Sequence, residues 1–177
     1  SSALAARATE DPNRRVLLLE AGPDYPDLAA TPDDLVNSHN NSYTRHDWGL
    51  VHEPTRGNSM AFPRGRVVGG SSAVNTTIAL RGMPEDYDEW AELGAPGWDW
   101  QNVLPAFCRL ERDLDYGAEH YHGDAGPISI RRYPHNELLP QHQAFLARAN
   151  ELGYPECPDA NEPLGYGAGP QPMNKLG

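Results

Sequence analysis

Arg64-Gly65-Arg66-Val67-Val68-Gly69-Gly70-Ser71-Ser72-Ala73-Val74-Asn75 is the most informative stretch of the chain. The adjacent glycines at 69 and 70 let backbone approach a ligand with no Cβ in the way. Ser71, Ser72 and the amides after them can donate to a pyrophosphate or a ring carbonyl. Asn75 offers both a donor and an acceptor at short reach. In isolation, a glycine turn capped by serine before a helix explains the segment more simply. The neighbouring sequence has to settle the matter.

Upstream, Arg15-Val16-Leu17-Leu18-Leu19-Glu20-Ala21-Gly22 is an unbroken apolar run closed by an acid and a glycine. Such a run suits a strand covered on both faces, as in a parallel sheet. Before it, residues 1–9 read as the end of a helix, stopped by Glu10-Asp11-Pro12-Asn13. A helix feeding a strand in this way is the second half of a βαβ unit. Glu20 then sits where an acid accepts hydrogen bonds from an adenosine ribose. The glycine fingerprint of such a unit lies about 20 residues earlier, at or just before Ser1. Taken alone, Glu20 also fits a solvated acid ending an ordinary strand.

Composition narrows the function classes. The chain has 177 residues, with 14 Lys and Arg against 25 Asp and Glu and a net charge of −11. An acidic surface has no counterion release to gain from a phosphate backbone, so nucleic acid is excluded as a partner. Seventeen glycines and seventeen prolines predict many turns and long ordered loops. The longest apolar run, residues 16–19, falls far short of the roughly 18 residues of a membrane span. No transmembrane segment and no signal peptide are expected. Cys108 and Cys157 allow one disulfide at most, and neither has a ligand-type neighbour at zinc spacing. The expectation is a soluble cytoplasmic protein without a metal site, with peripheral membrane association still compatible.

Along the chain, residues 23–64 read as loop with short helical or extended pieces. A helix is predicted from Pro84, with Glu85, Asp86, Asp88 and Glu89 near its positive end and Gly94 as its stop. A second helix follows Asp99 as N-cap, with Trp100, Val103, Leu104, Phe107 and Leu110 on one stripe. Pro105 should bend it, Cys108 packs on it as a small hydrophobe, and Trp98 and Trp100 anchor it. Ile128 and Ile130 mark a short half-buried strand. A third helix is predicted over residues 137–152, with Leu139, Leu146 and Ala149 inward and Gly153 and Pro155 ending it. His39, His46 and His52 lie in loop with no nucleophile at a recognisable spacing. His120 and His122 flank Tyr121 without a third ligand, which gives them a surface or packing role.

Several of these segments together carry a family likeness. Residues 65–75, with Ala79, Gly82 and Asp88 at matching offsets, resemble the first signature of the glucose–methanol–choline (GMC) oxidoreductases, FAD-dependent enzymes that oxidise alcohols. Leu4-Ala5-Ala6-Arg7 and residues 16–22 are similar to that family's first helix and second strand. Trp90 before Gly97-Trp98-Asp99-Trp100, Tyr121-His122-Gly123-Asp124-Ala125-Gly126-Pro127, and Pro172-Met173-Asn174-Lys175 resemble its bacterial choline and alcohol dehydrogenase branch. The likeness implies an α/β fold. It assigns a partial Rossmann-like FAD-binding domain to about residues 1–135, lacking the first strand and fingerprint, and the start of an α+β substrate domain to 136–177.

Carried over by position, the resemblance gives Glu20 to the adenosine ribose, and Ala21, Gly22 and Trp48 to the cofactor site. Gly65, Arg66, Val67, Gly69, Gly70, Ser71 and Ser72 would contact the FAD. Asn75, Thr76, Thr77 and Ile78 would run past the pyrophosphate and flavin. Val74 stands where some relatives carry a histidine bonded to the flavin; valine has no nucleophilic atom, so non-covalent FAD is implied. Ser1 falls where the last fingerprint glycine is expected.

In such enzymes a base, usually histidine, takes the hydroxyl proton while hydride passes to flavin N5. That base and its His or Asn partner belong to a C-terminal segment that nothing here matches, so no catalytic residue is assigned. The expected contribution of this chain is cofactor positioning, and by itself it is expected to bind FAD weakly or not at all. The implied partners are a small-molecule alcohol, choline or another primary alcohol, and an electron acceptor of unspecified kind. Two other readings stay open. One is a non-redox lyase similar to the FAD-containing hydroxynitrile lyases; the other is an inactive product of a truncated gene.

Overall fold

The computed structural model describes residues 2–37, 40 and 45–176. Ser1 and His39, singled out above, lie outside them. The chain packs as two units, residues 1–76 and 77–177.

The first unit opens with helix α1 (Ser2–Ala8), where the sequence predicts one. Asp11 Oδ1 then accepts the Asn13 amide at 3.0 Å, a tight turn that stops the helix. The run after it departs from expectation. Residues 14–20 form no strand, and Leu17 and Leu19 are 83% and 82% exposed. A parallel strand exists only through its neighbours, because its ladder and both of its apolar faces are completed by other segments. Among the described residues none pairs with this run, so its leucines face solvent.

Helix α2 is a single turn (Asp33–Val36). Strands β1 (Val51–Thr55) and β2 (Asn58–Ala61) then make an antiparallel hairpin, with Val51 opposite Ala61 and His52 opposite Met60. Arg56 and Gly57 form its turn, and Gly57 takes a φ of +80°, which glycine adopts without penalty. Pro54 within β1 masks the strand pattern and is tolerated because an edge strand need not donate at every position. After the glycine pair comes a 3₁₀ turn, Gly70–Ala73, in place of a longer helix.

The second unit is better covered. Helix α3 (Pro84–Glu92) starts at proline, which needs no partner for its missing N–H. The Asp86 carboxylate reaches back to the Met83 amide at 2.7 Å, and Gly94 stops the helix at φ +105°. Helix α4 (Trp100–Leu110) begins where Asp99 accepts the Asn102 amide at 3.2 Å. Asp88 of α3 accepts the Trp100 amide at 2.9 Å, so one acid of the predicted cluster ties the two helices together. Tyr87 lies within 5.7 Å, centroid to centroid, of Trp90, Trp100 and Phe107. This aromatic cluster is the apolar seam between α3 and α4. Trp100 is buried, whereas Trp98 remains 54% exposed against Trp90.

A small mixed sheet follows. Strand β3 (Glu111–Asp113) runs parallel to β4 (Ile128–Arg131), and β4 runs antiparallel to β5 (Met173–Asn174). Helix α5 (Pro140–Glu151) starts three residues later than predicted. Pro140 holds Leu139 out of the helical region, and Leu139 is 54% exposed rather than inward. Ala149 is buried as expected, and Gly153 ends the helix at φ +90°.

Candidate functional site

Within the first unit, the two segments singled out from sequence meet. A Cβ added to Gly22 would lie 2.2 Å from the carbonyl carbon and oxygen of Arg66 and 2.3 Å from the Val67 nitrogen. Only glycine permits this approach of residues 20–22 to the 65–70 loop. The Val68 amide donates to Pro23 O at 3.1 Å and fixes the contact. Glu20, at the exposed rim of the approach, accepts the Gly22 amide on Oε1 at 2.8 Å. A carboxylate has about four acceptor positions, so most of its capacity stays available to a diol.

The loop is tightly braced. The Gly70 amide donates to Val67 O at 2.7 Å, Ser71 Oγ accepts the Gly65 amide at 3.1 Å, and Ser72 Oγ donates to Gly69 O at 2.6 Å. A Cβ on Gly65 would strike Gly70 O at 2.4 Å, whereas one on Gly70 would meet nothing within 4 Å. Gly69 and Gly70 both have positive φ, +95° and +61°. Space therefore lies open beside Gly70, on a backbone folded tightly around Gly65. Val67 is 2% exposed and anchors the loop.

On its other side the loop pairs with residues 46–48. Arg66 N donates to His46 O at 2.8 Å and Trp48 N to Arg64 O at 3.0 Å. Asp47 Oδ1 accepts the Arg64 amide at 2.6 Å and Oδ2 the Gly49 amide at 2.7 Å. Those backbone donors hold the Asp47 carboxyl below the usual carboxylate range. Trp48 is half-exposed, with the Arg66 guanidinium 5.9 Å from its ring. The pairing rests on a buried histidine whose partners lie too far along the chain for any spacing rule to find. His46 Nδ1 lies 2.9 Å from Asp34 Oδ2 and Nε2 lies 2.9 Å from the Tyr25 hydroxyl. A carboxylate only accepts, so Nδ1 carries a proton and donates to Asp34. Asn75 and Thr76 follow the 3₁₀ turn and are exposed.

Thr77 and Ile78 belong to the second unit. Thr77 has a φ of +62°, the left-handed region that a β-branched residue takes only under constraint. The constraint comes from Asn174, whose amide donates to Thr77 O at 2.7 Å, and from a bridge between Ile78 and Met173.

That unit also holds a buried charge cluster. His122 Nδ1 lies 2.6 Å from Glu111 Oε1 and 3.3 Å from Asp113 Oδ2, and Nε2 lies 2.7 Å from Asp159 Oδ2. Arg81 binds Glu111 at 2.5 Å, while Arg132 bridges Asp113 and Asp159. Burial works against a charged His122, but hydrogen bonds to Asp159 and Glu111 and the charge of Asp113 raise its pKa to about 9. Burial likewise pushes Glu111 and Asp159 up, and His122 with the arginines more than offsets it, leaving both below their ordinary values. Ligand atoms of Glu111, Asp113 and His122 lie within 4.8 Å of one another, a spacing that suits a cation. Three acids here already face three cations, Arg81, His122 and Arg132, so the cluster is closed by its own charges.

Comparison with known proteins fits this geometry. The profile of the GMC oxidoreductase family matches residues 27–174. The chain is 41% identical to mouse mitochondrial choline dehydrogenase over 169 residues, which is 89% of this chain and 28% of that protein. It is 38% identical to 5-(hydroxymethyl)furfural oxidase of Methylovorus sp., over 90% of this chain and 32% of the relative. The chain thus spans about three tenths of the length of these curated relatives. Among solved structures, an FAD-dependent oxidoreductase from Chaetomium thermophilum superposes with a TM-score of 0.79 at 32% identity, covering 97% of this chain and 31% of its own. The chain belongs to the GMC oxidoreductase family and carries part of its α/β, Rossmann-like fold.

Proposed function

We propose that the protein containing these residues is an FAD-dependent oxidoreductase acting on the CH–OH group of an alcohol, choline or another primary alcohol, and that this chain supplies part of its FAD site. The observation that carries the reading is the contact at Gly22, which brings the acid-ended segment 20–22 onto the glycine loop 65–70. The relatives named choline dehydrogenase and 5-(hydroxymethyl)furfural oxidase support the substrate class.

The residues present fit the cofactor. Open space beside Gly70 and the adjacent positive φ values leave room for a ligand against bare backbone. Glu20 is placed to accept from a ribose, with Ala21 and Gly22 beside it. Gly65, Arg66, Val67, Gly69, Gly70, Ser71 and Ser72 form the cradle, Trp48 flanks it, and Asn75 and Thr76 continue from it. Roles for Thr77 and Ile78 along the flavin rest on the resemblance. When bound, FAD would accept hydride from the alcohol carbon. The chain's own part is to fix the cofactor and shield it from water, while the base that takes the hydroxyl proton is assigned to no residue here.

Val74 supports non-covalent attachment, because its side chain offers no nucleophile. We assign about 1–135 to the FAD-binding domain and 136–177 to the start of the substrate domain. We place the protein in the cytoplasm, in keeping with the free thiols of Cys108 and Cys157. Among the described residues no helix is long and apolar enough to cross a membrane. The electron acceptor is a separate partner of unassigned chemistry. Full-length protein purified with its flavin is the test: acid precipitation should release FAD to the supernatant, and flavin retained in the pellet would overturn non-covalent binding.

A further inference from the structure

Asn161 is 4% exposed, and its side-chain amide is spent entirely on a segment eighty residues away. Oδ1 accepts the Arg81 amide at 2.9 Å, and Nδ2 donates to Ala79 O at 3.1 Å. Those two backbone groups flank Leu80. A residue on a parallel strand makes the same pair of bonds, to the carbonyl before and the amide after its opposite number. The Asn161 carboxamide thus stands in for a neighbouring strand along residues 79–81.

The other side of the segment is held too. Ala79 N donates to Pro172 O at 2.9 Å, Asn174 N donates to Thr77 O at 2.7 Å, and Ile78 bridges Met173. Ile78 and Leu80 are left 53% exposed. Asn161 is itself fixed by the charge cluster: its amide donates to Asp159 Oδ1 at 3.0 Å, an oxygen also bound by Arg132 at 2.6 Å. Arg81 completes the frame, donating to Tyr121 O at 2.6 Å and to Glu111 at 2.5 Å. A strained Thr77 and an outward Ile78 therefore sit in a segment gripped directly by Asn174 and Met173 on one side and held at Ala79 and Arg81 by Asn161 on the other.

We propose that Asn161 is a positioning residue for the cofactor, setting the line of residues 77–81 so that Thr77 and Ile78 present the correct edge to the flavin. The proposal rests on the FAD reading above. It also gives the buried cluster a purpose: Asp159 holds Asn161, and Asn161 holds the segment.

The test uses full-length protein and three variants. Asn161→Ala removes both bonds. Asn161→Asp keeps the acceptor for Arg81 and loses the donor to Ala79. Ala149→Gly weakens helix α5 of the same unit without touching residues 77–81. Flavin circular dichroism, FAD dissociation constant and apoprotein melting temperature are measured on each. The expected result is FAD binding weakened ~10-fold and an altered flavin spectrum in Asn161→Ala, a smaller change in the same direction in Asn161→Asp, and neither in Ala149→Gly. If Asn161→Ala fails to fold, Asn161→Asp is read by the same criteria. Wild-type FAD affinity and spectrum in the Asn161 variants, with only the melting temperature lowered, would overturn the positioning role. Wild-type protein that binds no FAD would instead overturn the FAD reading, so the two failures are separable.

Discussion

His122 Nε2 and Asp159 Oδ2 face each other at 2.7 Å with both side chains buried, and Glu111 meets the other ring nitrogen at 2.6 Å. A ring with a carboxylate at each nitrogen donates from both and is held as an imidazolium. These contacts join the 122 turn, strand β3 and the loop that carries Asn161.

Stability should therefore fall on the alkaline side. The folded pKa of His122, about 9, stands above the ordinary 6.5. Below pH 6.5 the stabilisation is fully present, and it is lost as pH rises through about 9, at up to about 1.4 kcal/mol per pH unit. Glu111 and Asp159 have depressed values, so their contribution is present above their ordinary pKa and lost as pH falls through the folded one. Thermal melts of the full-length protein and of His122→Asn across this range check the claim. An unchanged alkaline slope in the variant would contradict it.

Arg132→Ala should be costly. It leaves Asp113 and Asp159 facing each other with one cation fewer. Stranding a buried charge in this way costs about 3–5 kcal/mol. Denaturant unfolding followed by a probe in this unit should show a large drop in midpoint.

Gly22 and Gly70 should respond differently to alanine. At Gly22 the new Cβ collides with Arg66 backbone, which cannot rotate away, whereas at Gly70 it enters open space and meets only the strain of a positive φ. That strain is of order 1–2 kcal/mol. Gly22→Ala should lose both stability and FAD binding, and Gly70→Ala should lose less stability than Gly22→Ala. The reverse order in melting temperature would show that the 20–22 approach is not as described.

Glu20→Ala should weaken FAD without unfolding the chain, since Glu20 is exposed and bonded only locally among the described residues. Loss of a charge-assisted hydrogen bond corresponds to roughly 10- to 100-fold in dissociation constant. Equilibrium titration of the apoprotein with FAD measures it.

The sequence was most informative where chemistry is local. The caps of α3 and α4 could be read because Pro84, Asp99 and Gly94 act on their own neighbours, and the glycine loop because backbone approach demands glycine. Segments completed from far away were opaque. His122 meets Asp159 across 37 residues and Arg81 meets Asn161 across 80, so no spacing rule finds either. His46 reads only as a loop histidine, because Asp34 reaches it from helix α2 and Tyr25 from the loop before that helix. The run Arg15–Gly22 reads as a buried strand from its leucines, yet a parallel strand is a property of its neighbours as much as of its own residues.

Anaerobic addition of choline, and then of other primary alcohols, to the full-length flavin-loaded protein tests the central claim most directly. The account predicts that at least one alcohol bleaches the visible flavin absorbance, with the matching aldehyde formed in equal amount. A flavin that stays oxidised with every alcohol, in a protein that binds FAD normally, would contradict it and favour lyase chemistry on the same fold.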